Sequence, residues 1–461
     1  MARDVSDQTP IESRDALVGW IAVGEKPQAD FRLGTEHEKF PFYRADLAPV
    51  PYEGRPDKGQ GGIRALLEGM RAKTGWEPIE DAGALIGLYD PNGGGAISLE
   101  PGGQFELSGA PLETVHQTAA ELDLHLEQVK AVAEPHGIGF LGLGMSPRWS
   151  LAETPVMPKS RYKIMTRYMP QVGTRGLDMM YRTCTVQVNL DFASEADMVR
   201  KLRTCIALQP VATALFANSP FTEGRPNGRL SERSEIWRDT DNNRAGMLPF
   251  VFEDGMGYDR YVDYALQVPM YFVKRGETYH DVAGADFRAL LEGRLPQLPG
   301  ERATMSDWAN HLSTIFPEVR LKRFLEMRGG DVGGRDHIVA FSAFFVGLIY
   351  DSASLDAAWD LAKGWSAAER QQLRDDVPAR GLDSVIAGKS LRDIAREALA
   401  ISRQGLSRRN RLDDKGRSEA IHLDLLDERL ASGRVAAQEW LARFNGPWGG
   451  SVDQVFKDAA Y

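Results

Sequence analysis

The chain has 461 residues, 43% of them apolar, with 55 basic against 65 acidic side chains and a net charge of −10. That is ample for a large core, and the acidic balance disfavours nucleic acid or an anionic membrane as the main partner, leaving small-molecule chemistry as the better expectation. No stretch approaches the roughly 18 apolar residues of a membrane span. The N-terminal "MARDVSDQTPIESRDALVGW" has the composition of neither a signal nor a transit peptide, and Cys184 and Cys205 form no disulfide framework and no CxxC. A reducing cytoplasm is therefore the expected location. No repeat, low-complexity run or long linker divides the sequence, so residues 1–461 are expected to form one interlocked domain.

In chain order, residues 12–25 read as a helix, 31–40 as a strand, 60–73 as a helix and 95–108 as a hairpin. Residues 112–135 space leucine, valine and alanine as a long amphipathic helix does. Strands are expected at 138–143 and 183–192, a helix at 195–216, and strands at 268–274 and 321–328. From 353 to 445, Ala, Leu, Arg and Asp recur at helical spacing, which predicts a mostly helical C-terminal part. Strands and helices mix without a βαβ rhythm. The fold class is α+β with a largely antiparallel sheet.

Within "LGTEHEKF", 33–40, a strand period of two places Glu36 and Glu38 on one face, where they repel unless something positive lies between them. The hairpin "GAISLEPGGQFELSG", 95–109, turns at Pro101, Gly102 and Gly103. A three-residue loop pairs Ser98 with Glu106 and Glu100 with Gln104, so Glu100 and Glu106 share the polar face while Ile97, Leu99, Phe105 and Leu107 face the core. In "TVQVNLDF", 185–192, Gln187 and Asn189 oppose Val186, Val188 and Leu190, and "LKRFLEMRGGD", 321–331, puts Glu326 and Arg328 on a common face. Taken singly, each is an ordinary solvated sheet face. Together they are acids accompanied by amides rather than by the usual Lys and Thr, the oxygen-rich set that Mg²⁺ or Mn²⁺ selects alongside phosphates. Glu36, Glu38, Glu100, Glu106 and Glu326 are therefore the expected metal ligands.

Anion-binding side chains are expected from "MPKSRYKIMTRYMP", 157–170, with Lys159, Arg161, Lys163 and Arg167, and from "LSERSEIWRDTDNNRAG", 230–246, with Arg233, Arg238 and Arg244. Arg161 and Arg233 are the foremost candidates. "GIGFLG", 137–142, follows a helix and enters a strand, the reverse of dinucleotide-binding context, and "GLDSVIAGKS", 381–390, has the wrong glycine spacing for a P-loop. His37, His116 and His125 lack zinc-ligand spacing, and Cys184 sits on the apolar side of its strand.

The motifs "GTEHEKF", "SLEPGGQFELSGAPLETVHQT", "RTCTVQVNLDF", "ALFANSPFTEGRPNG", "RSEIWRDTD", "VDYALQVPMYF" and "FPEVRLKRFLEMRGGD" resemble the plant-type glutamate–cysteine ligases of plants and proteobacteria. The resemblance runs from about residue 31 to 350 and resumes at "GPWGGSVDQVF". It implies the carboxylate-amine ligase fold related to glutamine synthetase, a curved antiparallel sheet surrounded by helices. It also implies the reaction of ATP, L-glutamate and L-cysteine to γ-glutamylcysteine, ADP and phosphate, with Mg²⁺ or Mn²⁺ as cofactor, in a monomer or homodimer. By the same resemblance the five glutamates bind metal, with Arg233, Arg328 and Glu326 as the catalytic group. Lys159, Arg161, Gln187, Asn189, Arg233 and Trp237 would line the substrate or ATP pocket. A related ligase using another amine is the alternative. One departure stands out: plant members carry a regulatory cysteine in the segment here written "RLPQLPG", where Gln297 stands, so that redox switch should be absent.

Overall fold

The computed structural model describes residues 7–461, so the N-terminal reading falls partly outside it, at 1–6. Nine strands form one antiparallel sheet: β1 (Leu33–Tyr43), β2 (Glu77–Asp81), β3 (Ala84–Tyr89), β4 (Ala96–Leu99), β5 (Phe105–Ser108), β6 (Ile138–Leu141), β7 (Thr185–Leu190), β8 (Val319–Leu321) and β9 (Leu325–Asp331). Their order is β8-β9-β7-β1-β5-β4-β3-β2, and β6 pairs with the second half of β1. The α+β class and the antiparallel sheet are as the sequence predicts.

Period-two alternation explains why the sheet is covered on one face. Leu33, Val186, Val188 and Leu190 pack with Phe341, Phe344 and Phe345 of the buried helix Arg335–Ile349 in a cluster that gathers residues from Ile11 to Phe456. Thr35 reinforces that contact through a 2.7 Å hydroxyl–hydroxyl bond to Ser342. Ile97, Leu99, Phe105 and Leu107 meet Leu66, Met70 and Val129 in a second cluster. The long helix forms at Val115–Ala133, started by a capping box in which Thr114 accepts from the Gln117 N–H while the Gln117 side chain accepts from the Thr114 N–H. Glu195–Leu215 is the helix expected at 195–216, and five helices of nine or more residues follow residue 351. No single helix among the described residues is long and apolar enough to cross a membrane.

Two strand expectations are corrected. Residues 321–328 do not run as one strand: Lys322, Arg323 and Phe324 make the turn between β8 and β9, closed by a Lys322 N–H bond to the Phe324 carbonyl. Residues 268–271 are irregular, because the helix Tyr258–Gln267 ends just before them, and the strand there is Phe272–Arg275. The β2–β3 hairpin has no counterpart in the sequence reading.

Candidate active site

Register assembles the polar face. Glu36 lies opposite Gln187 and Glu38 opposite Glu106 on the strands flanking β1; Ser98 lies opposite Glu106, and Asn189 opposite Glu326. The predicted pairing of the 95–109 hairpin is therefore observed, including the Glu100 N–H bond to the Gln104 carbonyl at 3.0 Å. This face is not solvated sheet: Glu36, Glu38 and Glu106 are only 7%, 8% and 6% exposed and Glu326 is fully buried.

Glu36, Glu38, Glu100, Glu106, Gln187, Arg161 and Arg328 line one cleft with Tyr162, Met165, Phe316 and Arg320. Beside it, Glu38, Glu100, Arg233, Trp237 and Arg328 join Met165, Met179, Met180 and Phe316 around a small chamber. On the other side of Glu36, that residue and Asn189 border a larger, mostly apolar chamber, with Lys26, Arg32, Asp90, Asp191 and Pro111 in its wall.

Each carboxylate is oriented by a neighbour. The Thr185 N–H donates to Glu38 at 2.9 Å, the Asn189 amide to Glu36 at 2.7 Å, the Ser98 hydroxyl to Glu106, and the Tyr162 hydroxyl reaches Glu100 at 3.3 Å. Burial, then Glu100 and Glu106, hold the Glu38 carboxyl well above the usual carboxylate range. Burial, then Glu100 and Glu36, push Glu106 up to about 7. A face in which acids raise one another is one that a cation relieves, and an all-oxygen donor set fits a hard divalent ion. Among the described residues no three acidic, imidazole or thiol groups already close into a chelate. The fit is to an ion held by one or two carboxylates and completed by substrate phosphates.

Glu326 departs from the metal-ligand expectation. Arg320 grips both its oxygens at 2.8 and 2.9 Å, Lys322 lies 3.0 Å away, and Arg328 contacts it too. Burial pushes its carboxyl up, but these three cations overcome that and hold it well below the usual range. With its oxygens committed, Glu326 anchors Arg328, whose guanidinium also donates to Gln187. Arg320 and Lys322 were missed by the sequence reading. The signal was the alternation Val319, Arg320, Leu321, hidden by treating 321–328 as continuous.

A register shift between Met327 and Gly330 bends β9 at Arg328. The two following glycines are required by close approach: a Cβ on Gly329 would lie 2.5 Å from the Gln209 amide, and one on Gly330 2.5 Å from the Phe341 ring. Arg233 comes from the short helix Glu232–Ile236, capped by Ser231, and donates to the Arg328 carbonyl at 2.9 Å. It forms no ion pair among the described residues, leaving its charge for a ligand, and Trp237 lies beside it with 5.9 Å from guanidinium to ring.

The other basic candidates separate. Lys159 is buried with its ammonium 3.3 Å from the Tyr162 hydroxyl and is not part of the cleft wall. Lys163 and Arg167 are exposed, and Arg167 pairs with Asp281. Arg238 is tied to Glu235 and Asp375, and fully buried Arg244 to Asp241. Arg167, Arg238 and Arg244 thus have their charges met by carboxylates within the fold. His125 is buried against His37 on the opposite face, with ring centres 5.6 Å apart, and both cysteines are free and buried.

A carboxylate-lined antiparallel sheet face, flanked by arginines and oriented amides, is the arrangement of a carboxylate–amine ligase. The chain belongs to glutamate-cysteine ligase family 2, whose model matches residues 32–458. Over 449 residues it is 54% identical to a chloroplastic glutamate–cysteine ligase of Arabidopsis thaliana and 53% identical to that of Nicotiana tabacum, in each case covering 97% of this chain and 83% of the relative. The crystal structure of a glutamate–cysteine ligase from Francisella tularensis in complex with AMP shares the fold, with TM-score 0.53 at 12% identity, over 93% of this chain and 87% of that one. The cytoplasmic expectation is overturned by the plant relatives, which are chloroplastic. Two free, buried thiols do not distinguish one compartment from another.

Proposed function

We propose that this chain joins the γ-carboxylate of L-glutamate to the amine of L-cysteine at the expense of ATP, giving γ-glutamylcysteine, ADP and phosphate, the first step of glutathione synthesis. The observation that carries the reading is the cluster Glu36, Glu38, Glu100 and Glu106 facing Arg161, Arg233 and Arg328 across connected chambers. Family membership and the identity to the plant glutamate–cysteine ligases support the same substrates.

The chemistry requires two anions to meet. A γ-carboxylate oxygen attacks the γ-phosphorus of ATP, ADP leaves, and the cysteine amine attacks the acyl carbon of γ-glutamyl phosphate, expelling phosphate with that oxygen. Arg233, without an ion pair among the described residues, and Arg328, fixed by Glu326 and Gln187, suit the glutamate α-carboxylate as a pair of planar donors. Arg161, on the wall with Glu100 and Glu106, suits the transferred phosphoryl group. The chamber beyond Glu36 and Asn189, largely apolar but bordered by Asp90 and Asp191 as well as by Lys26 and Arg32, suits the base of the nucleotide. Glu36, Glu38, Glu100 and Glu106 would hold Mg²⁺, which would supply charge neutralisation for the phosphates. The Met165, Met179, Met180 and Phe316 wall keeps water from the acyl phosphate and offers a soft surface to the thiol side chain.

Steady-state ADP release tests this. It should require Mg²⁺ and L-glutamate and rise severalfold with L-cysteine but not with other small amines; ADP formation indifferent to glutamate contradicts the reading.

A further inference from the structure

The C-terminal helical part sends a side chain to a recess that it shares with Arg233 and Arg328. Arg374, on the helix Ala367–Arg380, lines this narrow recess together with Arg233, Trp237, Phe316 and Arg328. Its Nε donates to the Glu318 carboxylate at 2.6 Å and an Nη to the Trp237 carbonyl at 3.2 Å. Those partners belong to the two segments that carry the other arginines. The Glu318 carbonyl accepts the Arg328 N–H at 3.2 Å, and the Trp237 N–H donates to the Arg233 carbonyl at 3.2 Å.

The same helix is fastened to the Arg233 segment twice more. Near its C-terminal end, where helix carbonyls lack partners within the helix, the Pro378 carbonyl accepts from the Leu230 and Ser231 N–H groups at 2.7 and 3.1 Å. Asp375 accepts from Arg238 at 2.9 Å. The Arg374 charge is met by Glu318, whereas Arg233 has no ion-pair partner among the described residues, so the third arginine braces and the first remains for a ligand.

We propose that Arg374 is a positioning residue: by bridging Glu318 and Trp237 it fixes the separation of Arg233 and Arg328, and so sets the affinity for the amino-acid carboxylate they hold. This gives the C-terminal helical part a share in substrate binding. The inference rests on the glutamate–cysteine ligase reading.

Glutamate and ATP kinetics of full-length Arg374→Lys, Arg374→Gln and Glu318→Gln test it, with thermal melting as the check on folding. The KM for glutamate should rise at least about tenfold in Arg374→Gln, because a misplaced clamp loses much of its orienting effect, and less in Arg374→Lys, which keeps the charge facing Glu318. Glu318→Gln should move it in the same direction, while the KM for ATP stays within about twofold of wild type. If Arg374→Gln does not fold, the Arg374→Lys and Glu318→Gln values decide alone. A wild-type glutamate KM in folded variants, or equal changes in both KM values, overturns the role. Wild-type protein without glutamate-dependent ADP release would instead refute the ligase reading, whatever the variants do.

Discussion

Glu38 and Glu106 stand opposite each other across the β1–β5 ladder, and neither forms an ion pair among the described residues. Both are buried, and each lies in the field of Glu100. A fold keeps such a face when a cation and phosphates complete it, since like charges this close are costly in a poorly solvated site.

Glu38→Gln and Glu106→Gln each keep an acceptor for the Thr185 N–H or the Ser98 hydroxyl while removing one charge. Activity should fall by about 100-fold or more if, as proposed, this face holds the ion. The melting temperature of the metal-free protein should be equal to or above wild type, because repulsion is relieved. Wild-type turnover in either folded variant would show that these acids take no part in the reaction.

How far this was legible in the sequence follows from register. β1, the β4–β5 hairpin and β7 each alternate cleanly, so Glu36, Glu38, Glu100, Glu106, Gln187 and Asn189 could be placed on polar faces before any pairing was known. The environment of Glu326 could not. It depends on a turn at Lys322–Phe324 that brings Arg320 back across from it, and an uninterrupted polar–apolar pattern conceals such a turn. The β2–β3 hairpin was hidden for a related reason: its turn uses Ala82 at φ +50° before Gly83, and alanine is not a residue that signals left-handed backbone. Arg374 was invisible because its partners, Glu318 and Trp237, lie 56 and 137 positions away.

Acid should loosen the helix Met305–Ser313, whose Ser313 carbonyl accepts from Arg320 at 2.7 Å. The buried His311 ring N–H donates to the Ala265 carbonyl at 2.8 Å, and burial pulls its pKa down to about 4, with the Ala265 bond opposing and Arg244 assisting. A group depressed in the fold contributes stability that is present above its unfolded pKa near 6.5 and is lost as pH falls toward 4. Between pH 7 and 5 this one residue accounts for about 2 kcal/mol of lost stability. His311→Gln removes the titration, so its denaturant midpoints should fall less steeply over that interval; an acid limb identical to wild type would contradict the assignment.

Redox control should be absent. Cys184 and Cys205 are free and buried, and burial raises both thiols, Cys205 to about 12, so neither supplies a reactive thiolate. Gln297, where the resemblance would place the plant regulatory cysteine, is exposed and cannot form a disulfide. Turnover should be nearly the same in reducing and mildly oxidising buffer, and Cys205→Ser should behave as wild type. A severalfold loss of activity with dithiothreitol, abolished by Cys205→Ser, would reveal a disulfide these positions do not predict.

Oxygen transfer reports directly on the proposed activation of the glutamate γ-carboxylate by phosphorylation. With L-glutamate carrying ¹⁸O in its γ-carboxylate, cysteine and ATP, each turnover should deliver one labelled oxygen to the released phosphate, read by mass spectrometry, and leave the other in the new amide carbonyl. Phosphate free of label, with ADP still produced, would mean that water and not the carboxylate attacks the nucleotide, and would contradict the account.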